Sequence, residues 1–198
     1  MRLLCLLVLL AAGCGKPPPM AVVEWIENQV EIDGTVIASG ATMKPGNRID
    51  VFPKRAAFQP ETGASRVRFL DGTVVLLRAT DNDFVRLQLV AAGEQGASVS
   101  LLEGRMGFAT AAGSVLTVES SGRSIEFRDS AGIVVDFPGG FRVGVLRGQA
   151  KIPAAGKLPA VELGPGQQVE FLPDGAGGAT TPFDSKAMGD LDPVVKAP

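Results

Sequence analysis

The chain contains no histidine and no tyrosine. Without histidine, the usual general base near neutral pH and the commonest transition-metal ligand are both missing. The two cysteines, Cys5 and Cys14, both lie in the first 14 residues. No disulfide can therefore staple the body, and an apolar core must hold it. A basic excess is missing as well: 19 Lys and Arg against 21 Asp and Glu leave a formal charge of −2. That balance argues against nucleic acid as a partner, because nucleic acid needs a concentrated positive face. Beyond residue 20 no apolar run approaches the ~20 residues of a membrane-spanning helix.

The motifs of catalysis are also scarce. There is no Gly-x-Ser-x-Gly elbow and no Gly-Lys-Ser/Thr phosphate loop. Ser114, Ser120 and Ser121 have no imidazole to activate them. Lys151, Lys157 and Lys186 sit in polar or Gly/Pro-rich surroundings, not in the apolar pocket that would lower an ammonium pKa. Asp81-Asn82-Asp83 lacks the spaced ladder, mid-loop glycine and closing glutamate of a calcium loop, and reads as a solvated turn. Paired carboxylates could still do acid–base work, but no pair stands out. No catalytic residue, metal ligand, cofactor or ligand-binding residue is assigned, and the chain is read as a non-enzyme.

What is present is a strand-forming pattern. Hydrophobic residues make up 45% of the chain, and 25 glycines punctuate it. Apolar and polar residues alternate in Val30–Val36, Val67–Leu76, Phe84–Leu89, Ser98–Leu101, Val115–Glu119 and Phe141–Val145. Asp33-Gly34 and Asp71-Gly72 sit between such runs and predict tight hairpins, since glycine accepts the positive φ of the turn. The spacing predicts an all-β fold: a two-sheet, jelly-roll-like β-sandwich with short strands over 21–172, or alternatively a β-solenoid. Trp25 alternates with Val23 and is expected as a core or inter-sheet anchor. Residues 173–198, rich in Gly, Ala, Pro and Asp, are expected as a flexible tail, with a brief helix around Ser185–Leu191.

An internal repeat accompanies this pattern. Gln29-Val30-Glu31-Ile32 matches Gln149-Ala150-Lys151-Ile152, and Pro45-Gly46-Asn47-Arg48-Ile49 matches Pro165-Gly166-Gln167-Gln168-Val169. Both pairs share one offset of 120 residues. Arg105-Met106-Gly107-Phe108 is a weaker third copy of the first element. Whether the repeat extends to structure is not decided by residue types alone.

The N-terminus has a charge at Arg2, an apolar run from Leu3 to Ala12, then Ala11-Ala12-Gly13-Cys14. The run has the length of a signal-peptide core. The segment resembles the bacterial lipobox, and the resemblance implies cleavage between Gly13 and Cys14 with acylation of the Cys14 thiol. The alternative is plain secretion after an Ala-x-Gly site. Residues 1–13 are thus expected as signal peptide. Residues 14–20 are expected as a tether stiffened by Pro17-Pro18-Pro19, which favours polyproline II. Gly15 stands where such lipoproteins carry Asp for inner-membrane retention, so the resemblance favours the outer membrane over the inner.

The order of motifs resembles the FecR-type (ferric-citrate-regulator-like) periplasmic domain over roughly residues 22–171. The opening strand is Asn28-Gln29-Val30-Glu31-Ile32, and the turn after it is Met43-Lys44-Pro45-Gly46-Asn47. The small-residue hairpin is Thr62 through Leu76, and the Leu-x-x-Gly strand is Leu101-Leu102-Glu103-Gly104. The closing strands are Phe141 through Ile152 and Leu163-Gly164-Pro165-Gly166-Gln167. The family's Gly-Thr-x-Phe-x-Val segment is reduced here to Ala131-Gly132-Ile133-Val134-Val135. The resemblance implies a fold of two packed sheets. With the lipobox it implies a membrane-tethered, non-catalytic envelope lipoprotein that binds or scaffolds a protein or glycan partner. The alternatives are an accessory sensor in transporter-to-sigma-factor signalling, and a carboxylate hydrolase of envelope polymer.

Overall fold

Alternating residues become strands in the computed structural model, which describes residues 19–53, 62–80, 83–156, 158–172, 177–184 and 186. The order is β1 (Ala21–Glu27), β2 (Val30–Ile32), β3 (Thr35–Val36), β4 (Thr42–Met43), β5 (Arg48–Val51), β6 (Thr62–Phe69), β7 (Val74–Thr80) and β8 (Val85–Gly93). There follow β9 (Gly96–Ala109), β10 (Val115–Ser120), β11 (Arg123–Phe137), β12 (Gly140–Ile152), β13 (Val161–Leu163), β14 (Gln167–Phe171) and β15 (Gly177–Pro182). Gly13 and Cys14, with the expected signal peptide and the expected tether up to residue 18, lie outside the described residues.

Three strands are long: 14 residues in β9, 15 in β11 and 13 in β12. At about 3.4 Å per residue they outrun any single packed layer, and each bends once. In β9 the inward residues are Ala97, Val99 and Leu101, then Met106 and Phe108. In β11 they are Ile125 and Phe127, then Val134. In β12 they are Phe141, Val143 and Val145, then Ala150 and Ile152. A period of two that changes phase once marks a strand passing from one layer to the next. The crossings fall at Gly104 (φ 90°), Asp129 (φ 48°) and Gly148 (φ 77°). Asn28 (φ 66°) makes the same corner between β1 and β2.

The first layer is ordered β3-β2-β5-β8-β9-β10-β11-β12-β13, using residues 96–103, 123–128 and 149–152 of the long strands. The second is ordered β4-β1-β6-β7-β9-β11-β12-β14-β15, using 104–109, 131–137 and 140–147. One apolar core fills the space between them and includes Phe108 against Phe127 (4.1 Å between centroids) and Phe141 against Phe171 (4.9 Å). The two expected sheets are therefore two layers of one continuous, open 15-stranded sheet. It is not a solenoid: β9–β10 is the single parallel pair among the described strands.

Two expectations change. Residues 177–184 are not tail: β15 pairs with β14, and Phe183 packs against Ile133 and Val135. The Gly/Ala/Thr composition hid a strand whose buried anchor is one aromatic residue. The helix expected near Ser185–Leu191 lies, apart from Lys186, outside the described residues. Trp25 is not in the core. A bulge between Val23 and Trp25 turns it outward beside Arg66, half-buried, while Ile26 packs inward.

The repeat is structural at the level of local chemistry. Asn28 and Gly148, 120 residues apart, are both positive-φ corners, and so are the turn glycines Gly46 and Gly166. In the first Pro-Gly turn Lys44 N donates to Asn47 Oδ1 at 2.7 Å; in the second Gly164 N donates to Gln167 Oε1 at 2.7 Å.

Candidate functional site

The parallel pair β9–β10 creates a concavity. β10 runs beside β9 in the first layer, Ser120 opposite Leu101. β9 then crosses to the second layer at Gly104, where it meets Asp136 of β11. β10 cannot follow, because it reverses at Ser121-Gly122 into β11. The layers fork there and leave an open cleft of about 540 Å³ lined by Ser100, Leu102, Glu119, Ser121, Ser124 and Asp136 among others. Two smaller hollows adjoin it, one toward Leu102, Phe137 and Pro138, the other toward Phe141, Leu158 and Leu172.

Hydroxyls and carboxylates line the fork. Ser120 Oγ and Ser121 Oγ both donate to Asp136 Oδ2, at 2.7 and 2.9 Å, and the Ser120 bond ties one layer to the other. Ser100 Oγ donates to Glu119 Oε2 at 3.0 Å. Glu103 and Leu102 stand exposed at the rim. A carboxylate that accepts a serine hydrogen bond holds the hydroxyl in place. The surface offers fixed acceptors and negative charge beside exposed apolar rim residues. Such a surface suits the amides and cationic side chains of a polypeptide segment.

Arg123 closes the floor. It occupies an inward position of β11, 5% exposed, with its guanidinium 4.2 Å from the Phe171 ring centroid. Its Nη2 donates to the carbonyls of Pro153 and Pro159, pinning the β12–β13 connection. Desolvation by burial pulls its pKa below the usual arginine value. Nε and Nη1 find no hydrogen-bond acceptor. This buried cation is held by ring faces and carbonyls, a costly arrangement that fixes the loop beside the cleft.

The other residues weighed from the sequence are scattered. Ser114 is buried in the turn before β10, far along the strand from Ser120. Lys151 pairs with Glu162 on the surface (3.7 Å). Asp83 closes a turn through its amide to Thr80 O, while Asp81, Asn82 and Lys157 lie outside the described residues. Among the described residues no cluster of three or more carboxylates or cysteines could hold a metal ion. Asp136, Glu119 and Arg123 were missed from the sequence. Nothing local marks them: Asp136 is sixteen positions from Ser120, and only the bends of β9 and β11 join them.

No family model matches the chain. No curated protein matches it in sequence. Its fold is similar to two crystal structures of a "putative anti-sigma factor" from Parabacteroides distasonis ATCC 8503. One, at 1.65 Å resolution, has TM-score 0.52 and 18% identity, covering 64% of this chain and 58% of that one. The other, at 2.50 Å, has TM-score 0.55 and 17% identity, covering 72% and 62%. The chain thus spans about three-fifths of the length of those proteins. At such identity the likeness establishes a shared all-β fold.

Proposed function

We propose that this chain is a non-catalytic binding module of a FecR-like envelope signalling system, anchored through an acylated Cys14 and engaging a protein partner at the fork between its layers. The observation that carries the reading is the shared fold with the Parabacteroides proteins across about two-thirds of the chain. The cleft's chemistry supports binding, since it presents fixed carboxylate acceptors at Asp136 and Glu119 beside an exposed apolar rim. The scaffolding role expected from the lipobox uses the same surface, and the fold likeness favours signalling between the two. The lipid anchor and outer-membrane placement rest on Ala11-Ala12-Gly13-Cys14 and Gly15.

Transcript profiling of the host tests this. Deleting the gene should alter a defined sigma-factor regulon, which the wild-type chain restores. Cys14→Ser, lacking the acyl acceptor, and Leu102→Arg, which places a cation at the cleft rim, should both fail to restore it. An unchanged profile on deletion would remove the signalling reading and leave scaffolding.

A further inference from the structure

The smaller hollow toward Phe141, Leu158 and Leu172 opens beside the fork and measures about 280 Å³. It shares Ser121, Gly122 and Arg123 with the cleft. Its walls are apolar, with Phe141 and Phe171 stacked 4.9 Å apart. Among the described residues that line it, Arg123 carries the one charge. That cation is buried and only partly satisfied. Nη2 donates to the carbonyls of Pro153 and Pro159, but Nε and Nη1 donate to nothing. The Phe171 ring face, 4.2 Å away, offsets part of the cost of burial. No carboxylate supplies the rest: Asp136 and Glu119 of the neighbouring cleft accept from serines, and desolvation alone sets the direction of the Arg123 pKa shift.

We propose that this hollow receives the C-terminal carboxylate of a partner polypeptide that ends in an apolar residue, an inference that rests on the reading of the fork as a polypeptide site. Three arguments select this occupant. The hollow pairs one unmet cation with aromatic and leucine walls, which suits an anion carried on an apolar group. A carboxylate brought to a buried guanidinium makes charge-assisted hydrogen bonds and offsets its missing counter-charge. The volume lies just under the ~300–1,000 Å³ of sites for drug-sized ligands, so it suits a single residue. A chain end enters such a hollow end-on. An internal Asp or Glu would carry two flanking peptide groups into apolar surroundings without partners. The shared Ser121-Gly122-Arg123 edge lets a segment lying in the cleft turn its last residue inward. Neither free nitrogen is open to solvent, so the guanidinium tilts toward the mouth as the carboxylate enters.

NMR titration of the isotope-labelled full chain tests the proposal, following the Arg123 Nε–H resonance and the Gly140 amide. The probes are N-acetyl-Ala-Ala-Leu as the free acid, the same tripeptide as its C-terminal amide, and hexanoate. The acid should shift both resonances saturably and bind about tenfold tighter than the amide, the measure of one charge-assisted hydrogen bond. Leu172→Glu sets a like charge at the exposed mouth and removes an apolar wall. It should weaken the acid about tenfold and leave the melting temperature at the parent value. Arg123→Met, read at Gly140, should bind acid and amide alike. Equal binding of acid and amide by the parent would overturn the proposal while leaving the fork as a polypeptide site. So would the absence of a saturable shift with either tripeptide up to ~10 mM, an acid preference that Arg123→Met keeps, or an acid affinity that Leu172→Glu leaves unchanged. If hexanoate binds more tightly than the acid, a small carboxylate fills the hollow and the polypeptide end is wrong.

Discussion

Residues 21–51 and 141–171 are built from the same parts in the same order, yet they join them differently. Each has a second-layer strand, a positive-φ corner, a first-layer strand, a connection, a short strand, a Pro-Gly turn and a last strand. In the first region β1 pairs with β4 and β2 with β5. In the second, the β1-like half of β12 pairs with β14 and the β2-like half with β13. The last two strands have exchanged layers. Corner and turn chemistry is local and survives a 120-residue separation. Pairing depends on what lies alongside: β5 has β8 as its other neighbour, whereas β14 is covered by β15.

The corners are where the regions can be broken most differently. A Cβ on Gly148 would lie 2.3 Å from Asp129 O, and φ is +77°. Gly148→Val should cost at least about 3 kcal/mol, through combined overpacking and left-handed strain. At the matching corner Asn28→Gly should cost only about 1 kcal/mol, because glycine accepts the left-handed backbone and only the Asn28 Nδ2 hydrogen bond to Thr62 O is lost. Denaturant unfolding of both variants checks this pair.

Next in size is the tie between crossings. Ser130, fully buried, donates to Gln149 O and accepts from Gln149 N (2.6 and 2.8 Å), locking the β11 bend to the β12 bend. Ser130→Ala should cost about 2 kcal/mol by stranding buried backbone groups. Slow hydrogen exchange should be lost first at Gln149. In the first region the corner is tied separately, by Asn28 Nδ2 donating to Thr62 O, and protection at Val30 should be kept.

Arg123 separates the connections. Pro153 and Pro159 are pinned to it, while the equivalent stretch in the first region turns through the β2–β3 hairpin at Asp33-Gly34. Arg123→Met should cost about 1–2 kcal/mol, since two carbonyls lose their donor while a buried charge is removed. Protease cuts should appear in 153–160 and nowhere in 33–41. The smallest effect is expected at the turns. Gln167→Ala should cost about 1 kcal/mol for one turn hydrogen bond. Asn47→Ala should cost slightly more, because Asn47 Nδ2 also donates to Asp33 Oδ2 at 2.6 Å.

Much of this was legible beforehand. Asp33-Gly34 and Asp71-Gly72 turn as expected, with Asp71 Oδ1 accepting from Thr73 N at 2.9 Å. Local chemistry of that kind is written in adjacent residues. The phase changes of the long strands are not evident in the sequence, although Leu101-Leu102-Glu103-Gly104 contains one, because each alternating run reads as a strand of its own. The cleft was illegible for the same reason: it exists only where β9 leaves β10. Strand β15 escaped because its residues are small and polar, and its tertiary anchor Phe183 lies just outside it.

Site-specific photo-crosslinking in the native host tests the partner-binding claim most directly. With the cross-linker at Leu102 on the cleft rim, the account predicts an adduct containing the extracytoplasmic segment of a sigma-factor regulator. With the cross-linker at Val36, exposed on the distant β3 edge, it predicts none. No adduct at Leu102, or the same adducts from both positions, would contradict it.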